Sequence, residues 1–132
     1  MHNSSYPPGS DLGPQLAPSQ EERVMAALAH ASILVHQIGL IGPLVLWLVN
    51  QGKAPFASYQ AQQAFWFHLA ITVIEWVALL FCVFTLGLGL LVMWPFLILF
   101  PLLTTIYGIV GAIHAYNGRD FRYWLIGDMI RP

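Results

Sequence analysis

The sequence predicts an all-α integral membrane protein, a bundle of three transmembrane helices. Of its 132 residues, 58% are hydrophobic and only 8% are charged, whereas soluble domains carry about a quarter charged residues. Residues 24–52 carry no charge, and Glu75 is the only charged residue between Lys53 and Arg119. A soluble chain of this size could not cover its surface with so few charges. The composition excludes a soluble enzyme, and five basic against six acidic residues leave no cationic surface for nucleic acid.

The chain divides into three regions. Residues 1–20 hold four of the nine prolines and are predicted to form a flexible Pro/Ser/Gly-rich tail. Residues 21–118 form the predicted transmembrane helical domain, and residues 119–132 an interfacial C-terminal segment. Ser19 and Glu22 match an N-cap and its capping-box partner, so a helix is predicted to begin just after Ser19.

The first apolar run, residues 24–50, would form a helix about 40 Å long. This length can span a hydrocarbon core of about 30 Å. Gly42 and Pro43 predict a kink within this helix. The alternative is a re-entrant hairpin with its tip at Gly39–Pro43, which would give four hydrophobic segments in all. We prefer the single span, because each half of such a hairpin is shorter than the roughly 20 residues that a crossing needs.

The second apolar run extends from Tyr59 to about Asn117. As a single helix it would measure nearly 90 Å, about three times the hydrocarbon thickness. It must therefore turn once, and the sequence Thr85–Gly89 is the best place for that turn. The prediction is a second helix over residues 60–84 and a third over residues 90–117.

The basic residues predict the orientation. In a three-span arrangement Arg23 shares one side with the turn at residues 85–89. The other side carries four basic residues: Lys53, Arg119, Arg122 and Arg131. This bias predicts that the C-terminus lies in the cytoplasm and the N-terminus outside. The expected location is the bacterial cytoplasmic membrane. With a re-entrant hairpin, both termini and all five basic residues would lie in the cytoplasm.

Four ionisable side chains are candidates for polar contacts inside the membrane, where such groups are costly and often functional. Depth along the predicted helices pairs His30 with Glu75 and places His68 near His114. A structural role in fixing helix register is the favoured interpretation. A proton relay, or a pigment or haem held by His68, His114 or His36, is the alternative. We expect no metal site, because only two potential ligands lie at the same depth in the membrane, whereas a metal ion usually needs three or four.

Small residues at four-residue spacing predict close helix packing. They are Ala27 and Ala31 on the first helix, and Gly108, Gly111, Ala112 and Ala115 on the third. A second group is predicted to lie at the cytoplasmic interface, where aromatic and basic side chains concentrate. Its members are Trp66, Arg119, Arg122, Tyr123 and Trp124.

Three stretches carry a family resemblance: Glu22–His30 leading to Gly42–Leu48, Lys53–Phe56 running through Gln60–Ala64 into Phe67, and Ala115–Tyr123. In these stretches residues 21–125 resemble small bacterial membrane proteins grouped with the chloroplast inner-envelope protein-import channel subunit. The resemblance implies a compact helical membrane domain with three or four hydrophobic segments and no assigned enzymatic activity.

The sequence contains no phosphate-binding loop, nucleophile elbow, HExxH or CxxC motif, so we do not expect an enzyme. The favoured function is an accessory or structural subunit that packs against a larger membrane complex. A channel or transporter component acting as an oligomer is the first alternative, and a pigment- or haem-binding protein is the second. The expected partners are the lipid bilayer and other membrane-protein subunits, with no nucleic acid and no soluble substrate.

Overall fold

A computed structural model describes residues 17–35, 39–124 and 126–130 of the chain. In these ranges four α-helices and one 3-10 turn follow one another, and there is no strand. The helices are α1 (Gln20–Ala31), α2 (Ile41–Asn50), α3 (Pro55–Phe84) and α4 (Leu88–Tyr116), with the 3-10 turn at Ser32–Leu34. The all-α fold class is confirmed. Most of the predicted tail, and His36 with it, lies outside the described residues.

The predicted start of the first helix is confirmed. The Oγ of Ser19 accepts a hydrogen bond from the backbone N–H of Glu22 at 3.1 Å. The backbone N–H of Ser19 donates to Oε2 of Glu22 at 3.0 Å. This reciprocal capping box satisfies two N–H groups at a helix end that would otherwise lack a partner.

The predicted single span over residues 24–50 is wrong. It is split into α1 and α2, which at 12 and 10 residues are about 18 and 15 Å long. The break comes before Gly42, and Pro43 lies in the first turn of α2, where a proline leaves no hydrogen bond unmade. Gly39 permits the chain to double back, because a Cβ there would meet the carbonyl oxygen of Ser32 at 2.6 Å.

Helices α1 and α2 form the two arms of a hairpin, as in the alternative considered above. Arg23 lies against Gly118 at the end of α4, with its Cδ 3.0 Å from where a Cβ of Gly118 would be. Gly39 lies deeper and accepts a hydrogen bond from His68 at 2.9 Å. The chain then returns through α2 to the start of α3. The described start of α1 and the C-terminal segment are therefore at the same end of the molecule, not at opposite ends as three spans require.

The two long helices agree with the sequence-based prediction. Helices α3 and α4 are 30 and 29 residues long, with mean hydropathy 2.2 in their most apolar windows, and both are candidate membrane spans. They are joined at Thr85–Gly87, where Gly87 has a φ of 86° and its N–H donates to the Cys82 carbonyl at 2.9 Å. Such a left-handed residue at a helix end favours glycine.

The main apolar core lies near the end of the molecule where α1 begins and α4 ends. Phe121 and Tyr123 of the C-terminal segment are buried there together with Ile33, Phe67 and Ile71. The Tyr123 ring stacks on Phe67 with ring centroids 3.7 Å apart. The C-terminal segment therefore contributes to the core instead of only lying along the membrane surface.

Candidate functional site

A buried chain of hydrogen bonds joins α1, α3 and the C-terminal segment. We call this end of the molecule the cap and define it as α1, residues 55–64 of α3 and residues 118–124. The Nδ1 of His30 lies 2.8 Å from the Tyr123 hydroxyl, and its Nε2 lies 3.0 Å from Oε1 of Gln60. The Gln60 Nε2 donates to Oδ1 of Asp120 at 2.8 Å. Asp120 Oδ2 in turn accepts from the Arg122 Nε at 3.0 Å.

The chemistry of these groups determines the direction of every bond. A carboxylate only accepts, so the Gln60 amide must direct its NH₂ group at Asp120 and its oxygen at His30. That oxygen also only accepts, so Nε2 of His30 carries the hydrogen and Nδ1 accepts from the hydroxyl of Tyr123. One neutral imidazole tautomer satisfies the whole chain.

The environment keeps these groups neutral. Burial lowers the pKa of His30 to about 4, even though the hydrogen bond to Gln60 alone would raise it. His30 lies on α1, outside the two candidate spans. Burial, with a smaller contribution from nearby Tyr107, raises the pKa of the Tyr123 hydroxyl. Tyr123 therefore remains a phenol that can donate to His30.

The structure gives His30 other partners than Glu75. The Nε2 of His30 is bonded to Gln60, and Glu75 lies 15 residues further along α3, about 22 Å away along the helix axis. The predicted pairing assumed that the first helix spans the membrane, so the hairpin removes its basis. His68 and His114 are not brought together either. His68 bonds to Gly39, and His114 bonds to the Val110 carbonyl of its own helix at 2.9 Å.

A small polar cavity lies deeper, between the hairpin tip, α3 and α4. Its volume is about 20 Å³, and it is lined by Ile33, Gly39, Leu40, His68, Ile71, Thr72, Glu75, Thr104 and Thr105. Two predicted site residues, His68 and Glu75, therefore face the same cavity. A polar space of this size accommodates one water-sized group. It has no room for a tetrapyrrole beside His68.

The predicted small residues have different roles. A Cβ on Gly108 would lie 2.7 Å from Ile33, and one on Gly111 would lie 3.0 Å from Phe121, so α4 approaches the hairpin and the C-terminal segment closely here. Ala115 is fully buried. The remaining three are only partly buried: Ala27, Ala31 and Ala112. On α1 the buried face is instead formed by Ala26, Ala29 and His30, and it continues at Ile33 in the 3-10 turn.

The predicted interfacial residues fall into two groups. Four lie on the surface at this end of the molecule: Trp66, Arg119, Arg122 and Trp124. Tyr123 is the exception, because only 1% of it is exposed and its hydroxyl is used by His30. Its ring fills the core between Phe67 and Phe121.

Sequence reasoning missed Gln60, Gln63 and Asp120. Gln60 and Gln63 are fully buried, and Gln63 donates to the Tyr59 hydroxyl at 3.1 Å and to the Ile130 carbonyl at 3.3 Å. The available signal was their spacing, since residues three apart share a helix face. Two amides on one face of an otherwise apolar helix predict polar partners across that face.

Comparison with known proteins corrects the family resemblance. A family model, MamF/MmsF, described as the magnetosome magnetite crystal formation protein family, matches residues 21–130. No curated protein and no solved structure matches the chain. The resemblance to the family of the chloroplast import channel subunit is wrong, because short motifs in apolar helices draw on few residue types and recur in unrelated membrane proteins. The matched region covers most of the chain, which therefore belongs to the magnetosome magnetite crystal formation protein family.

Proposed function

We propose that this chain acts in magnetite crystal formation as a non-enzymatic subunit of a larger membrane assembly. In this proposal α3 and α4 anchor the protein in the membrane, and the cap is the surface on which other subunits dock. One observation carries the proposal: the buried hydrogen-bonded chain from Tyr123 through His30 and Gln60 to Asp120 holds the cap in one conformation.

The hydrogen-bonding groups of this buried series of side chains are used within the protein. His30 has both ring nitrogens engaged, and Asp120 accepts a bond at each carboxylate oxygen. A general acid or base needs a ring nitrogen or an oxygen that can reach a substrate. Satisfied buried networks instead rigidify a structure and specify one arrangement of its segments. The geometry thus supports a structural role for the cap.

The outer surface of the cap and the adjoining loops suits a polar protein interface. Exposed charges of both signs lie there or close by: Glu21, Lys53, Arg119, Arg122 and Asp128. Mixed charges on a rigid surface give an interface its register and partner choice more than its raw affinity. A docking surface held rigid before binding also loses little conformational entropy on association.

The apolar length of α3 fits the proposed placement of this helix in the membrane. Beyond Gln63, the rest of α3 comprises residues 64–84, which is about 31 Å of helix and close to the hydrocarbon thickness. The cap then lies at the level of the lipid headgroups. All four described basic residues are at this end: Arg23, Lys53, Arg119 and Arg122. The positive-inside rule favours a cytoplasmic cap, with the Thr85–Gly87 turn on the opposite side.

The test is purification of the tagged chain from its native magnetosome membrane in mild detergent, followed by mass measurement of the particles. We expect a stoichiometric complex with other membrane proteins. The variant Gln60→Leu, which removes both hydrogen bonds of the amide, should lose these partners and alter the size or number of crystals in cells. Gln62→Leu, two residues away on the partly exposed face, is the matched control and should keep both. Elution of the wild-type chain alone would contradict the proposal.

A further inference from the structure

We propose that the cavity between the hairpin tip, α3 and α4 binds one divalent first-row metal ion, with His68 Nε2 and the Glu75 carboxylate as its principal ligands. This proposal does not depend on the docking role of the cap. It replaces the expectation from the sequence that no metal binds. That expectation placed His68 and Glu75 opposite different partners, whereas the structure places both at one cavity.

His68 has the geometry of a metal ligand. Its Nδ1 lies 2.9 Å from the carbonyl oxygen of Gly39. A carbonyl only accepts, so Nδ1 carries the hydrogen and the lone pair is on Nε2. Metal-ligating histidines usually have their second ring nitrogen held in this way by a backbone carbonyl or a carboxylate. The hairpin tip thus determines both the tautomer and the orientation of the ring.

Among the described residues the Nε2 atom has no hydrogen-bond partner, although it is buried. His68 is only 4% exposed. Burying a polar atom without a partner costs free energy, of the order of 1–3 kcal/mol. Nearly all buried polar groups are satisfied by protein, water or an ion, so an orphaned lone pair beside a cavity indicates an additional ligand there.

The other polar groups of the cavity supply oxygen. Glu75 follows His68 by two helical turns on the same face of α3. The hydroxyls of Thr72 and Thr104 donate to carbonyls of their own helices at 2.8 and 2.9 Å, which leaves their oxygen lone pairs available. Thr105 also lines the cavity. In the described residues no three His, Cys, Asp or Glu side chains cluster, so hydroxyls must complete the coordination.

The size and donor set select the class of ligand. A cavity of about 20 Å³ holds one water-sized group. Imidazole nitrogen combined with carboxylate and hydroxyl oxygen suits first-row divalent ions such as Mn²⁺, Fe²⁺ and Co²⁺. All-oxygen sites are the usual choice of Ca²⁺ and Mg²⁺. A neutral imidazole beside a carboxylate therefore favours a first-row ion.

The experiment titrates Co²⁺ into the full-length protein in detergent and follows visible absorption, which reports the ligands of the ion. We expect one Co²⁺ per chain, displaced only by an excess of Fe²⁺ under anaerobic conditions, because Fe²⁺ binds such sites more weakly than Co²⁺. Glu75→Gln keeps the shape of the side chain and should weaken binding at least about tenfold, as should His68→Ala. His114→Ala removes a partly buried histidine whose Nδ1 bonds to the Val110 carbonyl and which does not line the cavity, so it should leave binding unchanged.

Two results would overturn the proposal. The first is the absence of saturable Co²⁺ binding by the wild-type protein, which would mean that the cavity holds only water. The second is equal binding by Glu75→Gln and His114→Ala, which would place the ion elsewhere. Because His68→Ala also removes the bond to Gly39 and can disturb the hairpin, Glu75→Gln is the deciding variant. Loss of partner subunits with retained Co²⁺ binding would affect only the proposed docking role.

Discussion

The cap and the opposite end of the molecule are built on different principles. We call residues 76–94, the far ends of α3 and α4 with the turn between them, the tip. This region is separate from the bend of the α1–α2 hairpin at Gly39. In the cap His30, Gln60 and Tyr123 are at most 1% exposed. In the tip Leu86 and Leu91 are 93% and 75% exposed. The cap depends on partners up to 93 residues apart in the sequence, whereas the tip needs only to be helical and apolar, because lipid can cover it.

The largest difference should come from truncating one large side chain in each region. Tyr123→Ala removes a buried ring and leaves Nδ1 of His30 without its donor, so we expect a loss of about 3–5 kcal/mol in the free energy of unfolding. Leu91→Ala in the tip should cost less than about 1 kcal/mol. Denaturant unfolding of both variants in the same detergent measures the difference.

Tyr123→Phe sharpens this test, because it keeps the ring and removes only the hydroxyl. It should cost about 1–3 kcal/mol, the usual effect of leaving a buried acceptor unsatisfied. Equal stabilities of Tyr123→Ala and Leu91→Ala would show that the cap is not the specifically packed region.

The cap should also be the acid-sensitive region. The pKa of His30 is lowered to about 4 in the folded protein, from an ordinary value of 6.5. Between these values the unfolded chain binds a proton that the folded chain does not, so stability falls as the pH decreases below 6.5. We expect a loss of about 2 kcal/mol between pH 6.5 and pH 5. Unfolding at several pH values measures it.

His30→Gln is the control for this pH dependence. Glutamine does not titrate, so the variant should be less stable at pH 7 but should lose much less on acidification to pH 5. A wild-type slope that persists unchanged in His30→Gln would assign the acid sensitivity to other groups.

The smallest effect should come from the capping box at the entrance to the cap. Ser19→Ala removes the side-chain acceptor for the Glu22 N–H and should cost about 1 kcal/mol. Amide hydrogen exchange in the first turn of α1 measures it locally. Ser58→Ala, in the first turns of α3, is the comparison and should leave that exchange unchanged. Equal protection of the first turn in wild type and Ser19→Ala would show that tertiary packing alone holds α1.

The sequence predicted correctly those parts of the structure that depend on interactions between residues close together in the chain. The capping box of Ser19 and Glu22, the turn at Thr85–Gly87 and the two long helices all follow from residues close together in the chain. The exposed apolar character of the tip follows from composition in the same way. The hairpin could not be decided in this way, because a proline within an apolar run is compatible with a kinked span and also with the first turn of a new helix.

The polar contacts of the candidate site show the same limit of prediction from the sequence. The sequence marked His30, His68 and Glu75 as polar groups that need partners. However, the predicted pairs followed from the depth in the membrane at which a spanning first helix would place each residue. Once the chain doubles back at Gly39, His30 lies beside Gln60 and Tyr123, and His68 shares a cavity with Glu75. Gln60 and Asp120 were missed because amides and carboxylates also occur at exposed positions, and only the fold shows which are buried.

The sequence by itself determined that this is an apolar helical membrane protein, because hydropathy and helix capping act over a few turns. The tertiary structure alone decided which polar groups meet. Hydrogen-bond partners must lie within about 3 Å, and the choice between a kink and a hairpin moves His30 relative to Glu75 by many times that distance. The cap and the metal-binding cavity proposed here are both products of that one reversal of the chain.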